Sequence, residues 1–239
     1  EITGKYIYKG SGHTPAVKVY FGATVLTAGK DYSVSYKYNV NAAKANTKKA
    51  PQAIITLKGN YTGKIYKYFT IEKINLSGGA EYLKNVGLTI SEVNQAKSKK
   101  ASYSKPTIKL NGKKVDASNF TFTNPTGTAH KKVGTYTVTI TGKGKNFTGS
   151  TTVDLNVVTA LLKNVTVEKK IKTQKYKDGG VKPGSSKFKL TYKGTTLVEG
   201  THFEIVGYKN YDKAGTATVT LRGLGVEHKD ANGLCFAGT

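Results

Sequence analysis

Gly29-Lys30-Asp31-Tyr32-Ser33-Val34-Ser35-Tyr36 is the stretch on which the fold reading turns, because the chain repeats it twice in altered form. It returns as Ala117-Ser118-Asn119-Phe120-Thr121-Phe122-Thr123 and again as Glu199-Gly200-Thr201-His202-Phe203-Glu204-Ile205-Val206. A second phrase follows each copy: Ile55-Thr56-Leu57-Lys58-Gly59, then Val138-Thr139-Ile140-Thr141-Gly142, then Val219-Thr220-Leu221-Arg222-Gly223. The aromatic anchors Tyr32, Phe120 and Phe203 stand about 85 residues apart, the size of a small β-domain. The chain of 239 residues is therefore expected to divide into three units, 1–75, 76–158 and 159–239.

Working outward, the local pattern is strand and turn. Ala16–Phe21, Thr107–Leu110 and Phe188–Tyr192 alternate apolar and polar side chains, as a strand with one buried face does. Glycine turns follow them at Gly22, Asn111-Gly112 and Lys193-Gly194, and Asn-Gly is a strong two-residue hairpin signal. The near-identical Leu83-Lys84-Asn85-Val86 and Leu162-Lys163-Asn164-Val165 read as opening strands of the second and third units. Between the units, 72–79 with Gly78-Gly79 reads as a loose junction and the apolar 158–162 as a stiffer one. Short strands with turns about every ten residues predict an all-β chain: three tandem immunoglobulin-like antiparallel β-sandwich domains in an elongated array. With Cys235 the single cysteine, no internal disulfide and no thiolate zinc site can form.

The phrases at 29–42 and 55–71, together with Gly142-Lys143-Gly144-Lys145-Asn146-Phe147-Thr148-Gly149 and Ala214–Gly223, resemble bacterial immunoglobulin-like repeats. That family occurs in surface proteins of Gram-positive (Firmicute, gut commensal type) bacteria. The resemblance implies an extracellular location, at the bacterial cell surface or secreted. It also implies service as a stalk, spacer or adhesive module rather than one defined activity. Set against the other copies, the first unit lacks most of its opening strand and the third stops at Gly238-Thr239, where a closing strand is expected. An excerpt from a longer array, with open edges available for pairing between otherwise monomeric chains, is the expectation.

The net charge of +24 divides evenly, +9, +8 and +7 over the three units, and Arg222 is the one arginine. Base edges and phosphates are read bidentately by arginine, so specific nucleic-acid recognition is not expected. Spread lysine instead favours anionic glycans and other polyanions. No apolar run approaches the roughly 20 residues that span a bilayer, so no membrane insertion is expected.

Catalytic patterns are absent from the sequence. His13, His130, His202 and His228 lack metal-ligand spacing and read as surface or turn residues, and the carboxylates are scattered singly without an acid/base couple. No cofactor or metal is expected, and the chain is not expected to be an enzyme. The resemblance of such surface proteins to pilin domains implies one covalent candidate, an isopeptide between Lys84 and Asp154 or Asn156, with Glu92 or Asp116 as the assisting acid.

Binding is the expected class, with a host protein or an anionic glycan as partner. The first unit carries about seven extra residues between its two phrases, in the loop 39–51, and end-loops are where sandwiches meet partners. Tyrosine beside lysine suits sugar faces and protein interfaces, so Tyr36, Tyr38, Lys44, Asn46, Lys48 and Lys49 are the candidate partner-binding residues. Three readings compete: an adhesion stalk, a specific host-protein binder such as an immunoglobulin-binding surface protein, and a carbohydrate-binding module appended to an enzyme. The absence of tryptophan, the usual sugar-stacking platform, weakens the last.

Overall fold

The computed structural model describes residues 2, 4–98, 103–123 and 131–239. His130, Lys99 and Lys100 lie outside them. The chain is all-β: strands dominate, and one α-helix, Gly79–Asn85, occurs among the described residues. It gathers into two compact units. Unit 1 comprises Glu1–Ser91, Thr107–Thr123 and Thr139–Thr152; unit 2 comprises Glu92–Pro106, Asn124–Val138 and Val153–Thr239.

In unit 1 the two diagnostic phrases pair with each other. Tyr32–Lys37 runs antiparallel to Gln52–Leu57, from Tyr32 opposite Leu57 to Lys37 opposite Gln52. Lys64–Tyr68 then adds to the other edge of Gln52–Leu57. The chain continues through Phe69 into Ile71–Glu72, which pairs in parallel with Tyr6–Ile7. Alternation places Tyr32 and Ile55 inward, where they pack with Val19 and Leu26. In the same unit, Phe120–Thr123 pairs with the last residues of Gly134–Gly142, Phe120 opposite Gly142. Phe147 is buried against Phe120, ring centroids 4.8 Å apart.

Unit 2 repeats this scheme. Phe203–Lys209 runs antiparallel to Thr218–Gly223 with a bulge between Ile205 and Gly207. Val93–Ala96 pairs in parallel with the 155–158 stretch of Ser150–Val158. A cluster of Ala160, Leu162, Phe188, Leu190, Leu197, Phe203 and Phe236 forms its main core. Cys235 is fully buried beside Val158, Val226 and Ala237.

The turn chemistry is as the sequence predicts. Asn111 and Gly112 take φ of 49° and 77°, and Lys193 and Gly194 take 49° and 85°, the left-handed pair that a tight hairpin needs. Three expectations are corrected. Leu83-Lys84-Asn85 is not a strand but the end of the helix Gly79–Asn85, and Leu162–Asn164 is a single 3-10 turn. One buried leucine per turn, Leu83 or Leu162, followed by Lys-Asn supplies no alternation for a ladder. Gly87 closes the helix at φ 74°, donating to the Lys84 carbonyl, and a Cβ there would collide with the Asn111 side chain. The segment read as a loose junction is a strand: Ile74–Asn75 pairs in parallel with Phe147–Thr148, and Ile74 and Leu76 are buried. Lastly, His13 is buried rather than superficial; His202 lies in a turn as expected but is buried there, and His228 is exposed.

Candidate binding pocket at the 38–49 loop

The strand Tyr32–Lys37 delivers the chain into the long loop through one unusual residue. Tyr38 adopts φ 57°, a left-handed conformation that a bulky aromatic side chain rarely takes. Its neighbours fix it from both sides. Tyr36 Oη donates to the Pro15 carbonyl at 2.6 Å, His13 N donates to the Asn39 carbonyl at 2.9 Å, and Asn39 Nδ2 donates to the His13 carbonyl at 2.7 Å. Unit 2 uses the same frame, with Tyr208 Oη on the Pro183 carbonyl at 3.0 Å and Val181 N on the Tyr211 carbonyl at 2.9 Å. There the left-handed position belongs to Asn210, φ 54°, a residue that tolerates it. The backbone needs the conformation; only Tyr38 fills it at a steric cost.

Beyond Tyr38 the loop is tied down residue by residue. Ala43 exchanges both backbone hydrogen bonds with Ile71, at 2.9 and 3.0 Å. Thr47 Oγ1 donates to the Lys44 carbonyl, Ala50 N donates to the Thr47 carbonyl, and Ala50 is buried. Asn146, the turn asparagine, accepts from Ala42 N at 2.9 Å through Oδ1 and donates from Nδ2 to Asn41 Oδ1 at 3.0 Å. Lys73 Nζ donates to the Gly144 carbonyl at 2.8 Å.

Between these segments lies a pocket of about 780 Å³, within the size range of small-ligand clefts. Tyr38, Val40 and Asn41 line it, and four lysines, Lys48, Lys49, Lys73 and Lys145, contribute to its wall. No carboxylate lines it. Tyr38 and Val40 are exposed at 41% and 40%, and the Lys37 ammonium sits 5.0 Å from the centroid of the Tyr38 ring. Cations around an aromatic face, without a compensating acid, can hold a carboxylate or sulfate with apolar contact beside it.

The candidate residues separate into three groups. Tyr38, Lys48 and Lys49 converge on the pocket. Lys44 and Asn46 are exposed on the outer turn of the same loop and do not line it. Tyr36 is half-buried and bonded to Pro15, and burial pushes its phenol above the ordinary tyrosine range. Lys73 and Lys145 were missed by the sequence reading. Lys145 belongs to the second copy's glycine turn, and nothing local in sequence ties that turn to the first copy's loop.

The isopeptide candidates do not assemble. Glu92, Asp116 and Asp154 are exposed, and Asp116 serves as the N-cap of a 3-10 turn by accepting from Ser118 N at 2.7 Å. Asn156 Oδ1 accepts from Thr135 Oγ1 at 3.0 Å. The condensation needs a buried acid, and none of these is one. No group of three or more metal-ligating side chains occurs among the described residues.

The buried histidines are structural. His13 Nε2 lies 2.8 Å from the Ile7 carbonyl, and desolvation by burial holds its pKa below the ordinary histidine range. His202 Nδ1 accepts from Val198 N at 2.8 Å, while Nε2 faces Asp230 Oδ2 at 3.3 Å. Asp31 in unit 1 does the work of His202, accepting from Thr27 N at 2.7 Å. Asp230 also accepts from Leu234 N and Asn232 N, and hydrogen bonds from Leu234, His202 and Asn232 hold its carboxyl below the usual range.

Comparison of the chain with protein families, curated proteins and solved structures finds no match.

Proposed function

We propose that this chain is a non-catalytic adhesion segment of a bacterial surface protein, built from three immunoglobulin-like repeats, and that its 38–49 pocket binds an anionic glycan. The observation that carries the reading is the pocket itself: four lysines, an exposed tyrosine and no carboxylate. Tyr38 supports it further, since backbone strain of about 1–3 kcal/mol is retained where function requires it. Matching hydrogen bonds at Tyr36 and Tyr208, and at Asp31 and His202, support a common ancestry of the repeats.

The competing host-protein reading draws on the exposed face of Lys64–Tyr68, where Tyr66 and Tyr68 are 49% and 54% exposed. One experiment separates local from diffuse attraction. Binding of a sulfated hexasaccharide is measured by calorimetry for the parent chain, for Lys48→Ala/Lys49→Ala, and for Lys113→Ala/Lys114→Ala, which removes equal charge from an exposed hairpin of the same unit. The pocket variant is expected to lose about tenfold in affinity while the hairpin variant keeps it. Equal losses would reduce the pocket to part of a general lysine surface.

A further inference from the structure

The three-stranded sheet of unit 1 has an outer face whose make-up the fold does not require. In its antiparallel register Lys37, Gln52 and Tyr68 form one rung and Ser35, Ile54 and Tyr66 the next, and directly opposed residues project to the same side. Ala53 and Ile55, which alternate with these positions, are buried, so the rungs face outward. Tyr66 and Tyr68 are 49% and 54% exposed. A third rung ends in Lys64 opposite Thr56.

The second repeat shows what the fold asks for at those positions. Ile74 pairs in parallel with Phe147, and Ala160 pairs in the same way with Phe236, which aligns Ile74 with Ala160. Counting back along the chain then sets Tyr66 against Thr152 and Tyr68 against Asp154, both of them exposed. Phe69 and Ile71 fall against Leu155 and Val157, and all four are buried. Inward positions keep their apolar character from copy to copy. The outward pair changes from threonine and aspartate to two tyrosines on one side of the strand.

Chemistry and size select the occupant. The negative face of a tyrosine ring meets the C–H side of a pyranose, and Ser35, Gln52 and Thr56 offer hydrogen bonds to its hydroxyls. No Asp or Glu stands on the three rungs, and Lys37 and Lys64 occupy opposite corners. Three strands and five residues of length give a face of about 10 by 14 Å, or roughly 300 Å² with side-chain reach. A stable protein interface needs about 800 Å² per partner. The rung of Lys37, Gln52 and Tyr68 is the last before the pocket loop: Lys37 leads directly into Tyr38, with its ammonium 5.0 Å from the centroid of that ring.

We infer that this outer face is a track for uncharged sugar rings that continues the 38–49 pocket. The ligand is then a linear glycan with an anionic end unit in the pocket and neutral pyranoses stacked on Tyr68 and Tyr66. The track rests on the glycan reading of the pocket and extends the ligand beyond it.

The test compares two ligands by calorimetry on the whole chain: a sulfated disaccharide, and the same disaccharide extended by four uncharged β-1,4-linked glucose units. Extension is expected to raise affinity about tenfold, and the glucose C–H resonances should move upfield as the rings meet the tyrosine faces. In Tyr66→Thr/Tyr68→Thr, which keeps β-branched residues on the strand, the ratio of the two affinities should fall towards one and the upfield shifts should vanish. Lys113→Ala/Lys114→Ala should keep the ratio. Because the ratio is taken within one variant, a general change in stability or charge cancels from it. A disaccharide that binds while its extension adds nothing would overturn the track and leave the pocket standing. So would the full gain in the tyrosine variant, which would return the face to a protein partner. Absence of saturable disaccharide binding to the parent chain would overturn the pocket and the track together.

Discussion

Tyr38 is the residue at which the balance between stability and binding is open to measurement. Its counterpart Asn210 holds the same left-handed backbone, so Tyr38→Asn keeps the turn and removes the ring. The substitution should stabilise unit 1 by about 1 kcal/mol while weakening glycan binding. Denaturant unfolding and calorimetry on one preparation check both halves. Tyr36→Phe makes the reverse case: loss of the 2.6 Å bond to Pro15 should cost about 1 kcal/mol and leave binding unchanged.

His13 and Asp230 set the acid side of the stability profile. Burial lowers the His13 pKa, so the unfolded chain binds the proton more readily. Stability of unit 1 should decline as pH falls below about 6.5, the unfolded histidine value, and level off below the folded one. His13→Gln should flatten that decline in pH-dependent thermal unfolding. Asp230 acts lower: its depressed carboxyl contributes stability above its unfolded pKa, and that contribution disappears as pH drops through the folded value. Asp230→Asn should remove this second, more acidic loss from unit 2.

At the scale of the element, glycine fixes how the two parallel junctions close. Gly142 donates to the Gly149 carbonyl and Gly223 to the Gly238 carbonyl, both at 2.9 Å. A Cβ on Gly142 would stand 2.8 Å from Thr148 N, and one on Gly223 would stand 2.5 Å from the Phe236 backbone. Gly142→Ala and Gly223→Ala should each destabilise by about 2 kcal/mol or more, through forced backbone shifts around Phe147 and Phe236. Gly144→Ala, with nothing within 4 Å, should cost less and only through its φ of 78°. Thermal melts of the three variants rank them.

These elements also mark how far the sequence could be read. The phrase at 29–36 and its partner at 53–57 announced their strands through alternation, and Asn111-Gly112 announced its hairpin. Leu83-Lys84-Asn85 misled because three residues carry no period of their own, so similarity to 162–164 was mistaken for a shared strand. The parallel pairings of Ile74–Asn75 with Phe147–Thr148 and of Ala160–Leu161 with Phe236–Ala237 join residues about 75 apart, and no local pattern records such a contact. The pocket was half legible for the same reason. Its loop stood out as an insertion, whereas Lys73 and Lys145 arrive through those long-range pairings.

At the scale of the whole molecule, the charge of +24 attracts polyanions independently of any pocket. Spread almost evenly along the chain, it should give retention on a long sulfated polymer that collapses as ionic strength rises, because exposed charges are screened within about 10 Å at 0.1 M salt. A short ligand seated against Tyr38 and Val40 should keep part of its affinity under those conditions, since the apolar contact is not screened.

The distinction between one site and a charged coat is the central question, and backbone amide NMR during titration with a sulfated hexasaccharide addresses it directly. One saturating event, with shifts concentrated at 38–49, Lys73 and 144–145, is the result predicted here. Weak, unsaturated shifts distributed over lysines throughout the chain would contradict it.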